Sequence, residues 1–325
     1  MNVYHHLGEY RESLPHPVVT MGNFDGIHRG HQQIFRILRQ EAEENQGTAL
    51  VITFFPHPLK VLHPDRAPRL ITSLEDRIEL MQCCGIGHVL CLPFTEAFAS
   101  WEPERFIREI LVDTVGTKEV LVGEDFRFGR NRGGDIALLK KRGAPYGYTV
   151  KKIQPVQVDG MEVSSTRIRE FIQKGRIRES AAMLGRPYSI SGKVVTGDKR
   201  GRSLGFPTAN LATDAELLPP HGVYAVRVNL GGKRRPGVAN LGIKPTFSGR
   251  RFCIEAHIFD FDEDIYGEPL RMEFVERIRE ERSFPDARAL VEQIDRDARQ
   301  ARRLLEEGSP EAWDPTVEGK AGTGS

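Results

Sequence analysis

Cysteine is scarce in this chain of 325 residues: Cys83, Cys84, Cys91 and Cys253 are the only four. None form a CxxC pair, and a bridge between the adjacent Cys83 and Cys84 is geometrically disfavoured, so no disulfide framework is expected. Charge of one sign is not in excess either: 46 Lys and Arg face 45 Asp and Glu, a net charge of +1. That balance gives no support to bulk binding of nucleic acid or a membrane surface. Short basic runs such as Lys140-Lys141-Arg142 and Lys233-Arg234-Arg235 read as solvated faces. No apolar run approaches a membrane span, and Met1 to Pro17 lacks a hydrophobic signal core. Neither GxxxxGK[ST] nor GxGxxG occurs, which excludes a P-loop and a dinucleotide fingerprint. There is no internal repeat. A reducing, cytoplasmic setting is expected, with no membrane and no nucleic-acid partner.

Against these absences stand 39% hydrophobic and 28% charged residues, a composition that folds around a real core. The length suggests two domains at roughly 150 residues each. In the first half, apolar runs alternate with amphipathic segments of helix length. Strands are expected at Pro17–Gly22, Ala49–Phe54, His88–Leu92, Glu119–Gly123 and Tyr148–Lys152. Helices are expected at Gly30–Glu44 (with Ile34, Ile37 and Leu38 on one face), Leu74–Cys83, Glu104–Leu111 and Asp135–Lys141. This alternation predicts an α/β domain with a parallel sheet, whose ligands bind beyond the carboxyl ends of the strands. Helices at Ser165–Lys174 and Ile177–Leu184 follow. From Ser189 to Phe274 short alternating runs and Gly/Pro turns predict an antiparallel sheet or small barrel. Asp286–Glu306 reads as a closing helix with Leu290, Ile294, Ala298, Ala301 and Leu305 in a stripe. The boundaries read as 1–184, 185–307 and a disordered tail at 308–325.

The densest local signal is Gly22-Asn23-Phe24-Asp25-Gly26-Ile27-His28-Arg29-Gly30-His31, between a strand and a helix. A helix start attracts phosphate, His28 and His31 share a side, and Gly30 permits close approach to the backbone. Alone, the pattern reads equally as a Gly-rich turn with surface histidines. Zinc would need further ligands, of which His57 is the one obvious candidate. Ser164, Ser165, Thr166 and Arg169 offer three hydroxyls and a guanidinium at a second helix start, or simply an N-cap. His57, in Phe54-Phe55-Pro56-His57-Pro58, and Asp125, Phe126 and Phe128, in the stretch 122–129, follow strands. Their aromatics either stack on a flat ring or pack the core. In the second half, Gly201, Arg202, Phe206, Pro207, Thr208 and Asn210 belong to a Gly- and Arg-rich loop. Such a loop lets phosphate close to the backbone and offers Thr and Asn oxygens to Mg²⁺, or else only turns between strands. Glu255 shares a strand face with His257 and Phe259, either ion-paired or catalytic.

In this order the motifs closely resemble the prokaryotic bifunctional riboflavin kinase/FAD synthetases. The resemblance runs from about Val18 to Ala301. Its most specific pieces are GNFDGIHRGH at 22–31, PHP at 56–58, VGEDFRFG at 122–129, VSSTRIRE at 163–170, GRSLGFPTANL at 201–211, GVANLGIKPTF at 237–247 and DFDEDIYGE at 260–268. Gly87-His88 departs from the acidic residue expected there, which touches only a minor flavin or surface contact. The resemblance implies a Rossmann-like nucleotidyltransferase domain and a riboflavin kinase barrel. The barrel would phosphorylate riboflavin to FMN, with Glu255 as general base and with Thr208 and Asn210 holding Mg²⁺ and the phosphates of ATP. Arg279 would belong to a flavin-site loop. The first domain would adenylylate FMN to FAD and pyrophosphate. There His28 and His31 would act on the α-phosphate, Gly22, Asn23, Phe24 and Asp25 would hold ATP, Ser164, Ser165, Thr166 and Arg169 would hold pyrophosphate, and His57, Asp125, Phe126 and Phe128 would place nucleotide or flavin. FMN and FAD would be substrate and product rather than redox cofactors, and the chain a monomer or a weak self-associator. Two other readings fit the residues: a nucleotidyltransferase acting on another phosphorylated acceptor, and a flavin-binding regulator without turnover.

Overall fold

The parallel sheet of the first half is built from six strands: β1 (Asn2–Tyr4), β2 (Pro17–Met21), β3 (Thr48–Phe55), β4 (His88–Pro93), β5 (Glu119–Gly123) and β6 (Thr149–Ile153). In this computed structural model, residues 1–11, 13–197, 201, 205–246 and 249–307 are described, with backbone alone at 244–246 and 249–251. Arg202 and the expected tail at 308–325 lie outside the described residues. Every pairing in the sheet is parallel, in the order β1-β4-β3-β2-β5-β6. The chain therefore winds outward from β2 to β4 and then returns to place β5 on the other side of β2. The reversal opens a crevice at the carboxyl ends of β2 and β5, where open α/β sheets bind ligands.

Helix α1 (Arg29–Glu44) starts at His28, whose side chain accepts from the His31 amide. It buries Phe35, Leu38 and Ala42, a line shifted by one residue from the expected Ile34/Ile37/Leu38 face. After β3 come α2 (Pro58–Leu62) and α3 (Leu74–Cys83); after β4 come α4 (Glu96–Ala99) and α5 (Pro103–Phe106), the latter continuing as a π-helical segment at Ile107–Thr114. Helix α6 (Ile136–Tyr146) precedes β6, and a two-strand ribbon, β7 (Gln157–Val158) and β8 (Met161–Glu162), follows it. All four cysteines are free thiols. No helix of the described residues is long and apolar enough to cross a membrane.

By its internal contacts the chain divides between Ser164 and Ser165 into two compact units. The second begins with α7 (Ser165–Gln173) and α8 (Ile177–Leu184), and α8 packs on strands of the barrel. Those strands are β9 (Tyr188–Val195), β10 (Ala209–Ala212), β11 (Gly222–Leu230), β12 (Lys233–Thr246), β13 (Gly249–Ile258) and β14 (Pro269–Arg279). They close in the order β10-β13-β12-β11-β14-β9 with antiparallel pairing throughout. Closure removes the exposed edges that a short open sheet would leave. Tyr188, Tyr224 and Phe274 form contacting rings in the interior, with centroids 5.4 and 5.9 Å apart.

Helix α9 (Ala287–Glu307) covers one outer side of the barrel, where Ala301 and Leu305 pack with Val223, Ala225 and Val238. Its most buried line is Gln293, Asp297, Ala301 and Leu305. The expected apolar stripe is thus displaced, and two of its buried places are polar. The cause is Arg279, whose guanidinium makes three hydrogen bonds of 2.7–3.1 Å to the Asp297 carboxylate. Gln293 donates to the same carboxylate at 2.7 Å. A buried acid is kept only where its partners are supplied.

Candidate active site

The turn from Gly22 to His28 leaves β2 at the crevice and is held in an unusual conformation. Phe24 and Ile27 have φ of 50° and 38°, and both are buried. Non-glycine residues stay in such conformations only when their surroundings hold them. Here Asp25, itself buried, accepts from the amides of Ile71 and Thr72 at 3.0–3.1 Å and from the Thr72 hydroxyl at 3.3 Å. The carboxylate expected among the ATP ligands is thus engaged in tying the turn to the segment before α3. Beneath the turn lies Arg77, whose Nη1 donates to the Asn23 carbonyl and, at 3.4 Å, to the Thr53 hydroxyl. Sequence reasoning gave Arg77 no role; the available signal was an arginine facing inward on an amphipathic helix.

The two histidines are brought together: their rings stack with centroids 3.6 Å apart. His28 is buried, and its Nδ1 accepts from the His31 amide at 3.4 Å. An accepting Nδ1 leaves the proton on Nε2, which makes His28 a donor at that atom. Gly30 leaves room for the His28 ring, because a Cβ there would lie 3.2 Å from its Cε1 and Nδ1. The carbonyl of Val163, the residue before Ser164, comes within 3.9 Å of the same point. Ser165, Thr166 and Arg169 belong to α7, in the second unit.

The loop after β3 meets this turn. His57 is buried and caps α2, with Nδ1 accepting from the Leu59 amide at 3.2 Å, and its Nε2 lies 3.2 Å from the Asn23 amide. The Asn23 atom that meets it is the amide nitrogen Nδ2, so the ring and the Asn23 side chain are in hydrogen-bond contact. His57 is therefore a structural link between two loops and not part of a zinc cluster; no group of three or more metal-ligating acids, histidines or cysteines exists among the described residues. The loop after β5 divides. Asp125 is exposed, whereas Phe128 is buried, stacks on Phe126 at 5.6 Å and touches Phe106 at 5.5 Å. Phe54, Phe94 and Phe98 form a neighbouring set of ring contacts.

In the barrel, one register row gathers the expected residues. Asn210 pairs with Glu255, Glu255 with Asn240, Asn240 with Val223, and Val223 with Arg279. Directly opposed residues of antiparallel strands share a face, and this face is the outer one, since Val223 packs on α9. Asn240 is the residue missed, although an Asn between the apolar Ala239 and Leu241 was visible in the sequence. Arg279 stands in the row but is committed to Asp297. Thr208 and Pro207 instead border a cavity with Ala256, Ile258 and the loop from Phe261 to Tyr266. His257 Nδ1 donates to the Pro207 carbonyl at 2.8 Å, and its ring meets Phe206 edge-on at 5.5 Å. Two glycines come close to the expected ligands. A Cβ on Gly197 would fall 2.1 Å from the Asn210 amide, and one on Gly201 would fall 3.2 Å from the Thr208 hydroxyl. Neutral oxygens beside open backbone suit Mg²⁺ that arrives with nucleotide phosphates, since this ion takes few protein ligands.

Comparison with known proteins agrees with this geometry. Residues 11–167 match the family model for FAD synthetase, and residues 184–305 match that for riboflavin kinase. The bifunctional riboflavin kinase/FMN adenylyltransferase of Escherichia coli is 40% identical over 289 residues, covering 89% of this chain and 92% of that protein. The chain belongs to the bifunctional riboflavin kinase/FMN adenylyltransferase family. The Bacillus subtilis member is 37% identical over 320 residues, covering 93% of this chain and 96% of that one. Among solved structures, a Streptococcus pneumoniae protein described as a macrolide-efflux protein is 31% identical, with a TM-score of 0.84 over 95% of this chain and 99% of that one. Within the family's two-part arrangement, the FAD synthetase match carries the HxGH turn and the riboflavin kinase match carries the Glu255 row.

Proposed function

We propose that the barrel phosphorylates riboflavin to FMN with ATP and that the α/β domain adenylylates FMN to FAD with release of pyrophosphate. The observation that carries this reading is the pairing of two separate phosphate-handling sets in one chain. One is the strained turn with stacked His28 and His31 at the sheet's switch point; the other is Glu255 between Asn210 and Asn240 on the barrel. Neither set contains a nucleophile of its own, as suits reactions that need positioning and charge stabilisation.

In the first reaction Glu255 takes the proton of the ribityl hydroxyl as its oxygen attacks the γ-phosphorus, and the bond to ADP breaks. Thr208 and Asn210 would hold Mg²⁺, which when bound offsets phosphate charge. Gly201, Phe206 and Pro207 would border the nucleotide. In the second reaction a phosphate oxygen of FMN attacks the α-phosphorus of ATP, and the bond to pyrophosphate breaks. His28 donates from Nε2 to an oxygen of the α-phosphate, and His31 supports it from the stacked ring. Amides at the start of α1 face the phosphates. Ser164, Ser165, Thr166 and Arg169 take the leaving pyrophosphate, and the aromatic loops with Asp125 receive the flavin.

The test is a time course of the pure protein with riboflavin, ATP and Mg²⁺, its products separated by chromatography. FMN followed by FAD is expected. FMN alone would leave the α/β domain acting on another acceptor; neither product would make the chain a flavin-binding regulator. A paired control is His28→Ala, expected to cut FAD formation at least about 100-fold while FMN still accumulates.

A further inference from the structure

Arg77 is 2% exposed, yet among the described residues it has no carboxylate at ion-pair distance. The contrast is with Arg279, whose half-buried guanidinium is met directly by the buried Asp297 at 2.7 Å. Around Arg77 the partners are neutral: Nη1 serves the Asn23 carbonyl and the Thr53 hydroxyl, and Nε has no hydrogen-bond partner among the described residues. Burial disfavours its charge, and the more distant Asp25 carboxylate only partly restores it. A cation retained at such a cost needs a reason beyond packing, because an apolar side chain of similar volume would ordinarily be as stable or more so.

The reason lies in what Arg77 holds. Asn23 is gripped from three sides: Arg77 and Thr53 on its carbonyl, the latter at 3.4 Å, and His57 on its side-chain amide at 3.2 Å. Asn23 opens the turn that continues through the positive-φ residues Phe24 and Ile27 to His28. Asp25 ties the same turn to Ile71 and Thr72, just before the helix that carries Arg77. We propose that Arg77 is a positioning residue for adenylyl transfer: it fixes the main chain at Asn23 from below, so that the turn presents His28 and the first amides of α1 to the α-phosphate, and its positive charge favours the phosphate-bound state. It does not touch substrate. The inference rests on the reading of this turn as the adenylylation site.

The role makes a specific demand on the substitutions. Both contacts leave from one nitrogen, so a Lys ammonium can replace them, whereas Met fills the volume and supplies neither. Arg77→Met is expected to lower kcat for FMN adenylylation by 10- to 100-fold, the range for a misplacement of up to about 1 Å. KM for FMN should change less than threefold, and riboflavin phosphorylation in the same molecule should be unchanged. Arg77→Lys should restore kcat to within about fivefold of the parent. A purely structural role predicts instead that the loss follows the unfolded fraction, with the surviving molecules turning over normally. Active-site titration of the folded fraction, with thermal melting, separates these cases and keeps the Lys variant informative if the Met variant fails to fold. Parent-like kcat in Arg77→Met, or an Arg77→Lys variant that folds but is as slow as a Met variant, overturns the proposal. His28→Ala run alongside distinguishes the two levels: if it also makes FAD normally, the site assignment is wrong; if it is inactive while Arg77→Met is not, only the role of Arg77 is wrong.

Discussion

Gly30→Ala should separate stability from activity in the α/β domain. Position 30 is the second residue of α1, and alanine in place of glycine stabilises a helix by up to about 1 kcal/mol. The new Cβ, however, lies 3.2 Å from two atoms of the His28 ring, inside ordinary van der Waals separation. The ring must give way by roughly 0.3–0.5 Å. If a displacement of about 1 Å costs about 100-fold in rate, this shift costs about 4- to 10-fold on a logarithmic scale. The methyl group also stands over the helix start, where a phosphate oxygen would approach the amides. FAD formation from FMN should therefore fall about tenfold, while FMN formation from riboflavin and the melting temperature are kept or improved. Rates of both half-reactions, each started from its own flavin substrate, make the comparison within one preparation. A variant at least as stable as the parent that makes FAD at the parent rate refutes the reasoning.

Glu255→Gln should abolish FMN formation and leave conversion of supplied FMN to FAD intact; normal phosphorylation would make Glu255 structural. Asp297→Ala removes the acceptor shared by Arg279 and Gln293. Because Arg279 is still 19% exposed, the loss should sit near the lower end of the 3–5 kcal/mol typical of a broken buried pair, about 3 kcal/mol. Urea unfolding of the barrel unit reads it, and a loss below about 1 kcal/mol would show the network to be slack. Burial pushes the phenols of Tyr148 and Tyr224 up to about 12. Since the folded values exceed the unfolded value of about 10, their stabilisation is full below pH 10 and drains away as pH climbs to about 12, by up to about 3 kcal/mol each. Tyr148→Phe should flatten that alkaline loss in urea midpoints between pH 9 and 11.5; an unchanged slope would mean that the phenol ionises freely in the fold.

Much of the first domain was legible because its signals are local. Alternating apolar runs mark β2 to β6 to within two residues, and strand β5 and helices α3 and α8 have the expected limits. Edge strand β1 was invisible: three residues pairing with β4 leave no periodic signature. Helix α9 was found, but its buried line was misjudged because Gln293 and Asp297 face inward to satisfy Arg279. Periodicity registers hydrophobicity and is blind to a polar pair that becomes buried only in three dimensions. The same limit applies to the site. HxGH and Glu255 stand out as motifs, whereas Arg77 and Asn240 acquire meaning only from the tertiary neighbours that helix packing and strand register supply. Asp25 illustrates the converse: it sits inside the most conspicuous motif, yet its carboxylate faces the backbone of residues 71 and 72.

The two units reach one kind of chemistry by different routes, and the difference follows from their strands. A parallel sheet delivers its loops to one end, so a site there must be made from turns, and turns need anchoring; hence the buried Asp25 and Arg77 under a backbone with two non-glycine residues at positive φ. An antiparallel barrel instead fixes residues by register, so Asn210, Glu255 and Asn240 need no strained backbone to stand side by side. Substitutions that disturb anchoring should therefore be felt chiefly in adenylylation. Kinase activity should be most sensitive to the row itself and to the glycines that let the chain approach it, above all Gly197, where any Cβ would displace the Asn210 amide.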